Sequence, residues 1–395
     1  MILIVSSFFP YRHAENWIFP ELKELSELGR FCILARSSSG SPTHSLPSNI
    51  QEIKEPLLGV VGMVACVLKP RLLLTLVQLI AAHSNGIFDF LKRVSMVPKG
   101  FACAQKAKEM GVEHVHVHTT SSAASLGLIV AKVAQADFSF TVHTSTQFNS
   151  RFRRNYFGLI GHCAFVRTIS DLTKRELREF VPGEYPIHTV RMGVDLDSIE
   201  NCYRSKNYEA PRILIAAALE DYKGIDLAIL GVKEALKLFP EIRVDIFGQG
   251  SKRKFLEDLI EKNCLDKVIK LHGPVANKKL LELMADPQLY NYLLLTSNKY
   301  VNGQVEGVPV IIMEAIANGL IPIVVENGAV HEIVDETCAV IIENPRVSEV
   351  AGKLIDALSL PLKSKKLLSF KGEKVLADRY HAKKNASTLY RLLKR

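Results

Sequence analysis

Short runs of aliphatic and β-branched residues recur along the chain. Each is followed by a stretch whose apolar residues return every three or four positions. The runs predict strands at 2–6, 31–35, 113–118, 138–143, 164–168 and 187–190, then at 212–218, 242–247, 268–272, 291–296, 320–325 and 338–342. The stretches between them predict helices at 17–29, 101–111, 121–134, 171–181, 225–238, 252–263, 277–286, 308–318 and 347–359. Strand and helix in alternation imply parallel sheets covered on both faces. The pattern runs twice, and its break falls near 196–211, a polar stretch that ends in Pro211 just before a new strand. The expected fold class is α/β, with two Rossmann-like domains whose parallel sheets face each other across an interdomain cleft. Ligands of such sheets sit at the carboxyl ends of the strands, so the cleft is the expected site.

The length of 395 residues is too great for one ordinary core and fits two domains. The formal net charge of +9 suits an anionic partner: a nucleotide, a phospholipid surface or nucleic acid. The tail is especially basic, with Lys363, Lys365, Lys366, Lys371, Lys374, Arg379, Lys383 and Lys384. It reads as a solvated helical face or as a membrane-facing patch. Seven scattered cysteines without a CxxC pair fit reduced thiols in a cytosolic protein and argue against a zinc site. Met1-Ile2-Leu3-Ile4-Val5 has no basic residue before it and reads as a first strand, not a signal peptide. Residues 57–82 hold two apolar runs split by Lys69-Pro70-Arg71. Neither reaches the roughly 18–20 residues that a spanning helix needs. Buried helices are the favoured reading, and a monotopic membrane contact is the sharper alternative.

The most informative segment runs from Gln304 to Gly319, where two carboxylates, Glu306 and Glu314, stand eight residues apart. Pro309 suits a first helical turn, because its missing N–H costs nothing there, and Gly319 suits the helix end. Glu306 then falls in the loop before the helix and Glu314 about a turn and a half into it. Free amides around Gly307 and Val308 would face an anion, with the helix dipole adding to the attraction. A pyrophosphate fits that end. Glu306 would accept hydrogen bonds from sugar hydroxyls and Glu314 would bind a ribose. The bland alternative is a helix with one buried and one exposed acid.

At these residues the chain resembles the retaining family 4 glycosyltransferases of the GT-B fold, whose E-x7-E motif Glu306 and Glu314 match. Gly319–Val325 looks like the strand that follows, and Gly328–Val334 like the family's glycine-rich turn before the next helix. Leu219–Gly224 is similar to the turn that carries an Arg and a Lys against the donor pyrophosphate: Lys223 matches the Lys, but Ala218 stands at the Arg position. Phe247-Gly248-Gln249-Gly250-Ser251 matches the second-domain glycine turn. Gly248 and Gly250 are thus candidate donor contacts, with a tight β–α turn as the plainer reading. His272, in Leu271–Val275, falls near where the family holds its nucleotide base, though a packed histidine reads equally well. Phe9-Pro10 with Glu15–Leu22, and Phe138–His143, look most like the bacterial exopolysaccharide and colanic-acid branch. His143 matches a histidine at the strand end near the reacting sugar, whereas Thr146 stands where the family often has an Asp. His114, His116 and His118 share one face of a predicted strand but lack neighbouring acids or cysteines, a poor zinc signature.

The resemblance implies transfer of a sugar, with retained anomeric configuration, from a UDP- or GDP-sugar to a glycan or lipid-linked glycan in surface polysaccharide or capsule assembly. His143, Lys223 and Glu306 are the catalytic candidates. Gly248, Gly250, His272, Gly307, Val308 and Glu314 are the donor-binding ones. It implies no metal and no cofactor beyond the nucleotide sugar as co-substrate. No nucleic-acid partner is expected. The expected location is cytoplasmic, with peripheral contact at the inner face of the membrane. Residues 1–196 would bind acceptor and 197–375 donor, and a last helix over about 376–394 would cross back to the first domain. Two rival readings are a nucleotide-sugar epimerase of the same fold and a non-catalytic paralogue that binds sugar nucleotide or a partner. Ala218 and Thr146 feed the second.

Overall fold

The computed structural model describes the chain except residues 12–14, 16, 43–44, 55–57, 145–147, 149–152, 182, 197–204 and 299–306. It divides into two compact units: Met1–Met192 together with Ala382–Arg395, and Gly193–His381. Both are built on parallel sheets with helices on both faces, the Rossmann-like α/β architecture that the alternating pattern requires.

The first unit runs β1 (Ile2–Ser6), α1 (Ile18–Leu28), β2 (Phe31–Ala35), β3 (Gln51–Glu52), α2 (Leu58–Leu68), α3 (Pro70–Ala82), α4 (Ile87–Val94) and α5 (Val97–Glu109). It continues with β4 (His114–Val117), α6 (Ser122–Ala134), β5 (Asp137–Val142), α7 (Arg153–Ile160), β6 (Phe165–Thr168), α8 (Asp171–Phe180) and β7 (Ile187–Thr189). The sheet order is β3-β2-β1-β4-β5-β6-β7. Alternation along β1 shows how both faces are covered. Leu3 and Val5 join a core with the α5 and α6 residues Phe101, Leu126 and Val130. Ile2 and Ile4 join Ile18, Leu22 and Leu25 of α1 on the other face.

The second unit runs β8 (Arg212–Ala216), α9 (Ile225–Ala235), β9 (Arg243–Phe247), α10 (Arg253–Lys262), β10 (Ile269–Gly273), α11 (Asn277–Ala285) and β11 (Tyr292–Leu295). After it come α12 (Val310–Ala317), β12 (Ile321–Val325), α13 (Val330–Ile333), β13 (Val340–Ile342), α14 (Val347–Ser359) and α15 (Leu362–Arg379). Its sheet order is β10-β9-β8-β11-β12-β13. In each sheet the strand order reverses beside the first strand, at β1/β4 and at β8/β11. These switch points open a crevice at the carboxyl ends of the strands.

Several expectations need correction. The tail holds two helices where one was expected. α15 ends at Arg379, and α16 (Ala382–Leu393) begins after Tyr380 and His381. Tyr380 is buried and its hydroxyl donates to the Glu332 carbonyl at 2.9 Å, so the break is held in the second unit before the chain re-enters the first. There Leu389 and Leu393 pack with Ile18, Leu22 and Leu25 of α1. The boundary falls after Met192, a little before the expected 196, and residues 197–204 of the expected linker lie outside the described residues. The pattern also missed α4, α7, most of α15 and the two-residue β3. Buried helices describe only one side of 57–82. α3 buries Leu76 and Ile80, but Met63, Val64, Val67, Leu68 and Leu74 face solvent.

Candidate active site

The crevice of the second unit is assembled from the loops after β8 and β11. After β8 the chain makes a single 3-10 turn, Asp221–Lys223, and Gly224 follows with φ of 58°. A β-carbon at 224 would lie 2.4 Å from the Thr296 carbonyl oxygen, so only glycine lets the turn approach β11 this closely. The Thr296 hydroxyl donates to the Lys223 carbonyl at 3.1 Å and to the Gly224 carbonyl at 2.7 Å. The Asn298 amide donates to the Tyr222 carbonyl at 2.8 Å. The turn bearing Lys223 is therefore stapled to the strand whose outgoing chain leads to α12. Lys223 Nζ lies 5.0 Å from the centre of the Tyr222 ring.

The glycine turn after β9 crosses the same loop backbone against backbone. A β-carbon at Gly248 would fall 1.9 Å from the Ala217 carbonyl oxygen, and one at Gly250 would fall 2.3 Å from that of Leu219. The Leu219 amide donates to the Gln249 carbonyl at 2.9 Å, and the Lys252 amide to the Leu219 carbonyl at 2.9 Å. Glu220 reaches across, accepting from the Ser251 amide at 2.9 Å and from its hydroxyl at 2.6 Å. Gly248 and Gly250 thus have a packing role that is independent of any ligand. Ala218 is exposed on this loop. Neither neighbouring cation stands in for the missing arginine by default. Lys252 pairs with Asp221 at 2.7 Å and Arg253 with Glu257 at 2.9 Å. His272, at the end of β10, stacks on Phe247 at 4.7 Å and bonds the Asp245 carboxylate, which also accepts from the Tyr290 hydroxyl at 3.1 Å. The ring is 40% exposed, so one edge stays open to a ligand.

Gly307 and Val308 lie immediately before α12, and Glu306 lies outside the described residues. Pro309 caps the helix rather than joining its first turn, and among the described residues no side-chain oxygen takes the first amides. That leaves the helix head with amides and dipole directed outward. Glu314 is half-buried on α12. Burial pushes its carboxyl above the ordinary range, although Asn277 Nδ2 donates to Oε1 at 2.9 Å and works against the rise. Gly319 follows the helix with φ of 77°, and its carbonyl accepts from Tyr208 Oη at 2.5 Å and Ser369 Oγ at 3.1 Å.

In the first unit the loops after β1, β4 and β5 bring another set together. The Glu15 carboxylate accepts from the amides of Ser7, Phe8 and Phe9 at 3.2, 2.7 and 3.0 Å, closing the loop after β1. His143, after β5, bonds the His118 carbonyl through Nε2 at 2.9 Å and lies 4.2 Å from the Trp17 ring. A carbonyl only accepts, so Nε2 carries the proton and Nδ1 is left as an acceptor. Burial, with further repulsion from His118 and Arg167, lowers His143 to about 3. It is therefore a neutral hydrogen-bond acceptor at pH 7 and a weak general base. The three histidines of the β4 edge are held by protein groups. Ser139 bonds His114 and His116 at 2.7 Å each, Thr141 bonds His116 at 2.9 Å, and Glu21 meets His118 at 3.3 Å. Thr146 lies outside the described residues.

Comparison with known proteins decides what this arrangement belongs to. Residues 63–198 match the family described as Glycosyltransferase Family 4, and residues 204–374 match that described as Glycosyl transferases group 1. The chain belongs to the family 4 glycosyltransferases. The amylovoran biosynthesis glycosyltransferase AmsK of Erwinia amylovora is 25% identical over 187 residues, 46% of this chain and 44% of the relative. The GtfA subunit of a UDP-N-acetylglucosamine–peptide N-acetylglucosaminyltransferase of Streptococcus agalactiae is 28% identical over 198 residues, 49% of this chain and 36% of the relative. The matches thus span about half or less of the length of these relatives. Among solved structures, HepE of Anabaena in complex with UDP matches with a TM-score of 0.71 at 14% identity, covering 100% of this chain and 99% of that one. Sucrose-phosphate synthase of Thermosynechococcus elongatus matches with a TM-score of 0.74 at 12% identity, covering 100% and 98%. Both place the glycosyltransferase in the GT-B fold.

One part of the glycosyltransferase's first unit escaped the sequence reading. Arg167 of β6 is fully buried and forks onto Glu21 of α1, at 2.8 Å to Oε1 and 2.5 Å to Oε2, while its Nε donates to the Val190 carbonyl at 2.9 Å. Burial pushes the Glu21 carboxyl up, but Arg167 and His118 outweigh it and hold it below the usual range. The pair anchors His118, whose carbonyl orients His143. Its one visible sign is a lone cation inside the apolar run Ala164-Phe165-Val166-Arg167.

Proposed function

We propose that this glycosyltransferase moves a sugar from a UDP- or GDP-sugar to a glycan or lipid-linked glycan acceptor in surface polysaccharide assembly, and that the anomeric configuration is retained. One observation carries the reading: the turn bearing Lys223 is bonded to Thr296, just after β11, the strand whose outgoing chain leads to the head of α12, so the cation and the helix head would serve one switch-point crevice. Such a crevice suits a diphosphate, whose negative charge grows as the sugar leaves. Lys223 and the amides at Gly307–Val308 would meet that charge. Glu306 would orient the donor sugar and Glu314 the ribose, with His272 beside the base. His143, neutral and accepting through Nδ1, would position a sugar hydroxyl rather than remove its proton. The departing phosphate would take the acceptor proton in a front-face reaction, as the family resemblance implies. The likeness to AmsK, named for amylovoran biosynthesis, supports the polysaccharide-assembly part of this reading.

Transfer of radiolabelled sugar to a lipid-extracted acceptor tests the assignment. Glu306→Ala is expected to reduce transfer by about a thousandfold, as loss of a transition-state contact of this kind does, with an unchanged unfolding midpoint. Full activity in that variant would remove Glu306 from the site.

A further inference from the structure

Apolar side chains facing solvent are concentrated in one part of the first unit. Of the fourteen large hydrophobic residues exposed among those described, eight lie between positions 63 and 91. Met63, Val64, Val67 and Leu68 of α2 fall on one helical face, and Val67 and Leu68 are 78% and 74% exposed. The other side of α2 packs on α5, where a β-carbon at Gly62 would lie 1.8 Å from the Pro98 carbonyl oxygen. On α4, Ile87, Phe88 and Leu91 share an outward face with Lys92, and Phe88 is 87% exposed. α3 packs against both helices, so the faces belong to one region. Helices at a protein surface ordinarily turn polar residues outward, and a cluster this large marks an interaction site.

The charge of this region selects its partner. From Leu58 to Ser95 the sequence carries Lys69, Arg71, Lys92 and Arg93 against one acid, Asp89. Asp89 is already paired with Arg93 at 2.8 Å. Lys69 and Arg71 stand exposed at the corner where Gly62–Leu68 and Pro70–Ala82 meet at 107°. A second copy of this chain would set these cations against their own kind. A surface of anionic headgroups over acyl chains satisfies both the cations and the apolar faces. No single described helix is long and apolar enough to cross a bilayer; Gly62–Leu68 and Pro70–Ala82 are so only when taken together, and their 107° bend keeps them from forming one straight span.

We propose that the exposed faces of α2, α3 and α4 form a docking surface that seats the first unit on an anionic lipid bilayer. The surface stands independently of the transfer reading, since binding is read with no substrate present. Co-sedimentation of the full chain with vesicles of phosphatidylcholine, and of phosphatidylcholine containing about a third phosphatidylglycerol, tests it. The chain is expected to bind the anionic vesicles at least about tenfold more tightly than the neutral ones. The combined variant V67S/L68S/F88S is expected to lose about tenfold or more on the anionic vesicles, and K69E/R71E/K92E to lose the preference for them. Both variants alter exposed side chains, and unchanged circular dichroism and unfolding midpoints verify that each is folded. Failure of the wild-type chain to bind either vesicle would overturn the proposal, as would undiminished binding by the serine variant. A solution dimer that the serine variant abolishes, without vesicle binding by the wild type, would instead assign the face to a second copy.

Discussion

A β-carbon at position 248 would overlap the Ala217 carbonyl oxygen, on backbone with φ of 154°. Gly248→Ala is therefore expected to cost on the order of 3 kcal/mol from backbone strain and overpacking together, read as a lower denaturant midpoint for the second unit. An unchanged midpoint would contradict the packing role. The Gly-x-Gly turn was legible in the sequence, but its cause was not. The constraint comes from a loop about thirty residues earlier that crosses it, which no local pattern reveals. The same applies to Glu21 and Arg167, each plain in the sequence and paired only by the fold. Titration supplies a second test at this scale. Burial holds His114 and His118 at about 4, whereas unfolded histidines take up protons below about 6.5. Between those values the unfolded state binds more protons, so stability is full above about pH 6.5 and falls as the pH drops toward 4. The slope is about 1.4 kcal/mol per pH unit for each histidine. The Glu21–Arg167 contribution has the same sign but is lost only below the usual carboxylate range, since the Glu21 carboxyl is lowered. From these two rings alone, urea unfolding of the first unit is expected to lose about 4 kcal/mol between pH 7 and pH 5, and His83 and His143, lowered by burial too, add to the loss with the same sign. A flat profile would contradict neutral burial of these rings.

At the scale of elements, the twelve expected strands were legible because buried parallel strands read as continuous apolar runs bounded by turns. Helices covered on one side by the sheet were legible because their apolar residues return every three or four positions. The sequence was less informative where an element's surroundings decide its role. The apolar runs at 57–82 gave two helices as expected, but apolar content alone does not say which face is covered, and the outward face of α2 proved apolar. The tail was read as a basic stretch with one last helix, because Tyr380 looks like any helical aromatic until its bond to Glu332 is seen. α16 gives the direct test. Truncation after His381 removes Leu389 and Leu393 from the face of α1. The loss is expected to be about 3–6 kcal/mol for the first unit, seen as an earlier unfolding transition with the second unit's transition unmoved. A first unit as stable as in the full chain would show that α16 is dispensable.

At the scale of the whole molecule, the repeat of the βα pattern announced two Rossmann-like units, and the family matches run over most of the chain. The candidate site was legible wherever its chemistry sits in contiguous residues, as at Gly307–Gly319 and Leu219–Gly224. It was not legible where strands distant in sequence supply one crevice, as with Thr296 beneath Lys223. Ala218 in place of the clamp arginine leaves Lys223 as the side-chain cation that the family pattern assigns to the diphosphate, and on the proposed function nucleotide-sugar binding would depend on it. Calorimetric titration with UDP- and GDP-sugars, with Lys223→Ala alongside, tests this most directly. The account predicts that one nucleotide sugar binds the wild-type chain and raises the unfolding transition of the second unit, by about 2.7 kcal/mol at a hundredfold excess over Kd. It predicts that Lys223→Ala weakens that binding at least about tenfold, the loss of one charge-assisted contact. Absence of binding by every nucleotide sugar, or equal binding by the variant, would contradict it.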